Sequence, residues 1–262
     1  MKSIHRYIEG NHIITTYVLE IGGVKVAVDP GPPNALTPTD ADYVICTHIH
    51  NDHCGASGQM GKPVYVHERY VRHLLDPTKL WQSTREVLGP IADLFGQPVG
   101  AKDVRPLRDG DRLFDAIDVY FTPGHAPHHV MFYYRDEGVL FVGDGAGVYV
   151  PELKAIFPTT PPPFKYDEYI QSLRRVSALG ARQICFPHFA CTEEVELLKA
   201  HAEQIKAWRE AARSVKERGG GVEDLLVELQ RVDENAAKIA GRRGLLHDFF
   251  LMQTLIGLLQ SA

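Results

Sequence analysis

Thr47-His48-Ile49-His50-Asn51-Asp52-His53-Cys54-Gly55 places four potential metal ligands, His48, His50, Asp52 and His53, within six residues. Two histidines at i and i+2 leaving a strand end can point at one cation, while Asp52 and His53, one turn further on, can face a second. Two cations are therefore expected. Structural zinc sites are closed by cysteine and histidine pairs, whereas imidazole with carboxylate is the open ligand set of catalytic metals. The competing reading, a polar turn that happens to hold three histidines, requires a coincidence of residue types.

Three further candidates each follow a predicted strand. His125 closes Thr122-Pro123-Gly124-His125, where a proline-glycine turn can aim an imidazole back at the first motif. Asp144 sits in Gly143-Asp144-Gly145, and glycines on both sides allow the close backbone approach by which one carboxylate bridges two cations. His188 follows Gln183-Ile184-Cys185-Phe186 in the same manner. Asp29, in Asp29-Pro30-Gly31, is either a support for the metal ligands or a turn-forming aspartate, and spacing does not separate the two. His67 and His73 have no ligand neighbour at i±2 and are left out of the site, as are His201 and His247, which fall in predicted helices.

The elements that must position these residues alternate. Ile13 to Ile21 and Val24 to Val28, around Gly22-Gly23, read as a hairpin, and Tyr43-Val44-Ile45-Cys46 reads as the buried strand that delivers the first motif to a loop. Gly55 to Gly61 reads as a short helix, Pro63 to His67 as a strand and Glu68 to Leu75 as a helix. Trp81, Leu88, Ile91, Leu94 and Phe95 lie on a roughly helical period within 76–100, as core or as a cover over the substrate. Short strands then follow at 112–114, 117–121, 130–134 and 139–142. Tyr166 to Leu179 is amphipathic, with Tyr169, Leu173 and Val176 on one face, and Glu193 to Arg218 reads as a long helix stopped by Gly219-Gly220-Gly221. Val222 to Arg231 and Leu245 to Leu259 are helical again. Phe249, Phe250, Met252, Leu255, Ile256 and Leu259 make the last one too apolar to stay bare, so it packs on its own domain, or second-best on a copy of itself as a homodimer.

The 262 residues, 44% hydrophobic and 23% charged, suit a soluble globular protein large enough to do without disulfide staples. No apolar run approaches the length of a membrane span, and the N-terminus lacks a signal-peptide pattern, so a cytoplasmic location without membrane association is expected. A net charge of −5, with no basic tract beyond short pieces such as Arg242-Arg243, disfavours a nucleic-acid partner and points to a small-molecule substrate. The four cysteines show no C-x-x-C spacing; Cys46 and Cys185 read as small core residues, and Cys54 as the filler of a turn beside the metal motif.

The series His48-x-His50-x-Asp52-His53, then His125, Asp144 and His188, resembles the metal motifs of the metallo-β-lactamase-fold hydrolases over roughly residues 5–190. The resemblance implies an α/β four-layer αβ/βα sandwich, with the metal site at one edge of the interface between two sheets. It also implies that His48, His50 and His125 hold one metal, that Asp52, His53 and His188 hold the other, and that Asp144 bridges. The catalytic domain would span 1–192, with a helical C-terminal extension at 193–262. Gly124 to His129, Gly143 to Tyr149 and Pro158 to Phe164 are similar to a small prokaryotic subgroup of largely unassigned function. His128 stands where the lactonase and glyoxalase II wording has glycine, and His50 stands where flavodiiron proteins have glutamate.

Two cations sharing one carboxylate can hold a bridging hydroxide near neutral pH and polarise the scissile group. The expected activity is hydrolysis of small esters, lactones or thioesters, with zinc as the first choice of metal and iron or manganese as alternatives. Asp52, Tyr149 and His128 are the residues assigned to the catalytic step, the last two as candidate proton donors. A phosphodiesterase is the second reading and would draw on Lys154 or Lys165. A non-catalytic metal-binding protein is the third, opposed by seven filled ligand positions.

Overall fold

A computed structural model of the chain describes residues 1–37, 39–241 and 245–262, with side chains from 248 onward in the last stretch. Arg242-Arg243 and the His247 side chain therefore lie outside the described residues. The first sheet holds six strands in sequence order: β1 (Lys2–Ile8), β2 (Asn11–Ile21), β3 (Val24–Val28), β4 (Tyr43–Ile45), β5 (Val64–His67) and β6 (Val104–Leu107). β1 to β3 are antiparallel and β3 to β6 parallel. Parallel neighbours need crossovers. The first, from β3 to β4, carries a short 3-10 turn at Pro33–Ala35; the second carries α1 (Asn51–Cys54) and α2 (Ser57–Met60), and the third α3 (Val71–Leu75), α4 (Thr78–Leu88) and α5 (Ala92–Phe95).

The second sheet starts with β7 (Arg112–Leu113), β8 (Ile117–Phe121), β9 (Val130–Tyr134) and β10 (Val139–Phe141). After a separate hairpin of β11 (Val148–Val150) and β12 (Ala155–Phe157) and the helix α6 (Tyr166–Ser177), β13 (Gln183–Cys185) and β14 (Cys191–Thr192) complete it. Its order is β14-β13-β10-β9-β8-β7. Among the described residues four helices follow: α7 (Leu197–Glu217), α8 (Val222–Val232), α9 (Glu234–Ala240) and α10 (Leu245–Ser261).

Side-chain alternation explains the layers, because successive residues of a strand point to opposite faces. Val130, Phe132 and Tyr134 of β9 enter an inner core shared with Tyr17, Leu19, Val26 and Ile45 of the first sheet. Met131, between them, enters an outer core with the helices, together with Leu173, Trp208, Leu225 and Leu258. On the far side of the first sheet, Val44, Val64 and Val66 pack on Leu74 and Leu80, and Ile8, Ile13 and Ile14 pack on Phe95. The result is the four-layer α/β sandwich with C-terminal helices. Segments on both sides of residue 192 share the helical outer core.

Five local features differ from the sequence reading. β6 contains Pro106, which disguises a strand, and it is tolerated because β6 is the sheet edge. The β11-β12 hairpin and α9 are too short to announce themselves by periodicity. α7 starts at Leu197, not Glu193, because 193–196 turn the chain out of β14 before the helix begins. That strand also corrects the reading of Cys185: its antiparallel register sets Cys185 opposite Cys191, with Cα atoms 4.0 Å apart, and the two form a disulfide. Cys46 and Cys54 are free and buried. Among the described residues no helix is long and apolar enough to cross a membrane.

Candidate metal centre

The site is built on carboxylate and hydroxyl props at strand ends. Asp29 follows β3 with a positive φ of 50°, and its buried carboxylate accepts from Thr47 N–H and from Thr47 Oγ1, both at 2.7 Å, and from His53 Nδ1 at 3.0 Å. Of the two readings open for Asp29, it is the support. Thr47 Oγ1 has given its proton to Asp29, so at 3.0 Å it can only accept from His48 Nδ1. His125 Nδ1 donates to Thr159 O at 2.9 Å, and His188 Nδ1 donates to Ile13 O at 2.6 Å.

One consequence follows for all four rings. A neutral imidazole carries one proton, and each has it fixed on Nδ1 by a partner that can only accept. In the neutral ring Nε2 therefore carries the lone pair, and the four Nε2 atoms converge. His48 Nε2 lies 3.0 Å and His125 Nε2 3.2 Å from His50 Nδ1. His53 Nε2 and His188 Nε2 each lie 3.4 Å from Asp144 Oδ1, while His125 Nε2 lies 3.6 Å from Asp144 Oδ2. Asp52 Oδ2 stands 3.6 Å from His53 Nε2 and 3.9 Å from His188 Nε2. Asp144 thus turns one oxygen to each half of the cluster. His53 Nε2 and Asp144 Oδ1 are buried without a hydrogen-bond partner. Converging imidazole nitrogens and two carboxylates draw positive charge into this space, as the raised proton affinities of His53 and His188 show, and a cation supplies that charge, so these residues fit a metal. The ligand atoms group as His48-His50-His125, His48-His53-Asp144 and Asp52-His53-His188, each within 4.8 Å.

Proton affinities divide the cluster in the same way. Burial, followed by repulsion among the imidazoles, depresses His48 well below the ordinary histidine value and His50 to about 4. Burial also lowers His53 and His188, but Asp144 and Asp52 outweigh it and both are raised. Burial alone would raise Asp144, yet His53 and His188 hold it well below the usual carboxylate range.

Glycines let the bridging turn close. Gly143 has φ +49°, and a Cβ there would sit 2.5 Å from His129 Nε2 and 2.8 Å from Thr47 Cβ. His129 escaped the sequence reading. It is fully buried, accepts from Gly145 N–H at 3.1 Å and bonds Thr122 Oγ1 at 2.8 Å, so it clamps the Asp144 turn to the loop of His125. Thr159 was missed as well: its hydroxyl donates to Asp144 O at 2.8 Å while its carbonyl holds His125. The third histidine in succession after Gly124 was a usable signal for His129; a distant backbone carbonyl leaves none.

All seven candidate ligands come together; the two candidate proton donors do not join them. Tyr149 lies in β11 with its ring against Phe186 in the helical outer core. Burial, then Glu194, raises its hydroxyl, and no carboxylate of the centre acts on it. The chain turns at Gly147, φ +76°, between Asp144 and Tyr149. His128 stays beside the centre, 5.6 Å from the His50 ring, but its Nδ1 accepts from Ile49 N–H at 3.4 Å and burial keeps it uncharged. His67 stacks on Phe121 at 4.0 Å, and neither it nor His73 joins the ligand groups found among the described residues.

Known proteins can now be set beside this geometry. ST1585 of Sulfurisphaera tokodaii, a metallo-beta-lactamase fold-containing protein, is 28% identical over 215 residues, 76% of this chain and 80% of its own. Its crystal structure superposes with a TM-score of 0.76 at 23% identity, covering 99% of this chain and 98% of that one. TTHA1623, solved in a di-iron-bound form, gives a TM-score of 0.54 at 26% identity over 74% of this chain and 96% of its own. Residues 10–188 match the family model of the metallo-beta-lactamase superfamily, and the chain accordingly belongs to that superfamily, whose members are generally metal-dependent hydrolases.

Proposed function

We propose that the protein is a dinuclear metal-dependent hydrolase of small esters, lactones or thioesters. In this reading His48, His50 and His125 hold one divalent cation, Asp52, His53 and His188 hold the other, and Asp144 is shared. The observation that carries it is the common tautomer of His48, His53, His125 and His188, whose partners leave every Nε2 bare toward the same space. When bound, the cations supply hydroxide near neutral pH and polarise the scissile carbonyl. The chain's own part is to take the Nδ1 protons and keep each Nε2 aimed at the cations, through Asp29, Thr47, Thr159 and Ile13. Zinc suits an imidazole-dominated set, and the di-iron form of TTHA1623 supports iron as the alternative.

A carbonyl substrate is favoured over a phosphodiester. Lys154, one of the two cations that a phosphodiesterase would draw on, lines a separate pocket of about 360 Å³ with Gln204, Trp208 and Asp233. The N-acyl homoserine lactonase AttM of Azorhizobium caulinodans, 26% identical over 117 residues that make up 38% of each chain, supports the lactone branch. Neither Tyr149 nor His128 is given the proton-donor role.

The test is metal content together with turnover of an aromatic lactone, S-lactoylglutathione and bis-p-nitrophenyl phosphate, with His50→Ala as control. Two metals per chain, with carbonyl turnover lost in the variant, is the expected result. Dominance of the phosphate probe would reverse the substrate class, and a protein that binds no metal would refute the reading.

A further inference from the structure

The C-terminal half of α10 belongs to the helical outer core of the second sheet, where Leu255 and Leu258 are buried. Toward its start, Phe250 packs on the outer core of the first sheet, with Ile8, Ile13, Ile14, Ala35 and Phe95. A helix rooted in one outer layer can touch the opposite outer layer only by crossing an edge of both sheets. Its hydrogen bonds identify the edge. Thr160 Oγ1 donates to Thr254 O at 2.9 Å and Thr254 Oγ1 to Pro158 O at 3.3 Å, on either side of Thr159, whose carbonyl holds His125. A side chain at Gly257 would collide with Thr160 O, so the glycine lets the helix seat on this loop. At the other end of the crossing stands Ile13, whose carbonyl holds His188. Phe250 and Thr254 are one turn apart, about 6 Å along the axis. The helix therefore runs from the loop behind His125 to the strand behind His188, and the metal centre lies between those two supports.

We propose that α10 roofs the mouth of the metal centre, and that Phe250, with Ile91 and Leu94 of the segment between β5 and β6, forms the apolar wall for the non-reacting part of the substrate. The centre then takes esters or lactones that carry an extended alkyl group. This deepens the hydrolase reading and rests on it. Phe250, Ile91 and Leu94 are apolar side chains, so they offer an ionic group no partner of opposite charge. Access remains beneath it: the side chains of His188 and Asp52 are 15% and 14% exposed. Confinement there rewards length, by about fourfold for each methylene buried.

The test uses the cobalt(II)-loaded chain and follows its visible spectrum while acetate, butyrate or octanoate is added. Affinity should rise at least about tenfold from acetate to octanoate. Phe250→Ala should remove most of that rise with cobalt content unchanged. Phe250→Leu, which keeps the packing if the alanine variant fails to fold, should remove part of it. Equal affinity for the three carboxylates, or a rise untouched by the leucine variant, overturns the roof. Ester turnover with no chain-length dependence sinks the roof and leaves the hydrolase; chain-length dependence without turnover of any ester or lactone sinks the hydrolase and leaves the roof. A chain that takes up no cobalt removes both.

Discussion

His188 and His201 are both histidines of the C-terminal half, both enclosed by the fold, and they meet opposite surroundings. His201, in α7, gives its Nδ1 proton to Gln204 Oε1 at 2.9 Å and takes the Tyr169 hydroxyl on Nε2 at 2.8 Å. Gln204 passes its own protons to Ile156 O and Asp233, and Trp208 Nε1 donates to the same carboxylate at 2.6 Å. Every lone pair of that ring is spoken for. His188 also has its Nδ1 proton taken, by Ile13 O, but its Nε2 turns to Asp144 and Asp52 in the metal-ligand cluster. His48 and His53 are buried as deeply as His201, so burial does not distinguish a ligand from a core histidine; the second ring nitrogen does.

The most severe way to break this contrast is to remove one ring from each network. His48→Ala should lower turnover by about a thousandfold or more, equivalent to about 4 kcal/mol of barrier, and bring metal content below two per chain. His201→Gln should leave metal content at the parent level and turnover within a few-fold. Metal analysis beside steady-state kinetics reads both, and metal loss in the His201 variant would mean that the two networks are one.

Chelation addresses the open network without mutation. A ligand held only by the folded state stabilises it by about 4 kcal/mol at a thousand times its dissociation constant. Stripping the metals should therefore lower the melting temperature by on the order of 10 °C, and an unchanged melt would mean that the converging lone pairs need no cation.

The closed network makes its own prediction with pH. Burial, opposed by Gln204 and Asp233, lowers His201 from the ordinary 6.5 to about 4. Above pH 6.5 both folded and unfolded chains hold this ring neutral. As pH falls toward 4 the unfolded chain binds a proton that the folded one refuses, so stability drops, by about 3 kcal/mol for this ring. Urea unfolding of the metal-free protein at pH 7 and at pH 4.5 should show the loss, and His201→Gln should reduce it. An identical loss in the variant would assign the whole effect to other groups.

What could be read from the chain follows from how far each signal travels. His48 to His53 announce themselves because ligand type and spacing are local, and Tyr169, Leu173 and Val176 because a buried helix face has a period. Thr159 and Ile13 act through backbone carbonyls on rings remote in sequence, and no residue type encodes that. Tyr149 is close to Asp144 in sequence, yet its ring packs against Phe186 in the helical outer core, a placement that sequence distance does not reveal. The Cys185–Cys191 bond depends on a strand register that no spacing rule covers, and β6 was hidden by Pro106.

The finest test of the second-nitrogen rule leaves every ring in place. In Asp29→Asn one acceptor oxygen can still serve Thr47 N–H, but the amide group then presents N–H donors where Thr47 Oγ1 and His53 Nδ1 had donated. Two donors cannot face each other, so His53 is driven to accept on Nδ1 and to carry its proton on Nε2. That proton points at Asp144 and occupies the lone pair meant for the metal. Affinity for the cation held with Asp52 and His188 should fall about 10- to 100-fold, as supporting partners of metal-bound histidines typically contribute. Chelator competition measures the loss, and nitrogen-15 shifts of His53 report the tautomer. Parent-like affinity with the tautomer switched would mean that orientation of the ring matters and the position of its proton does not.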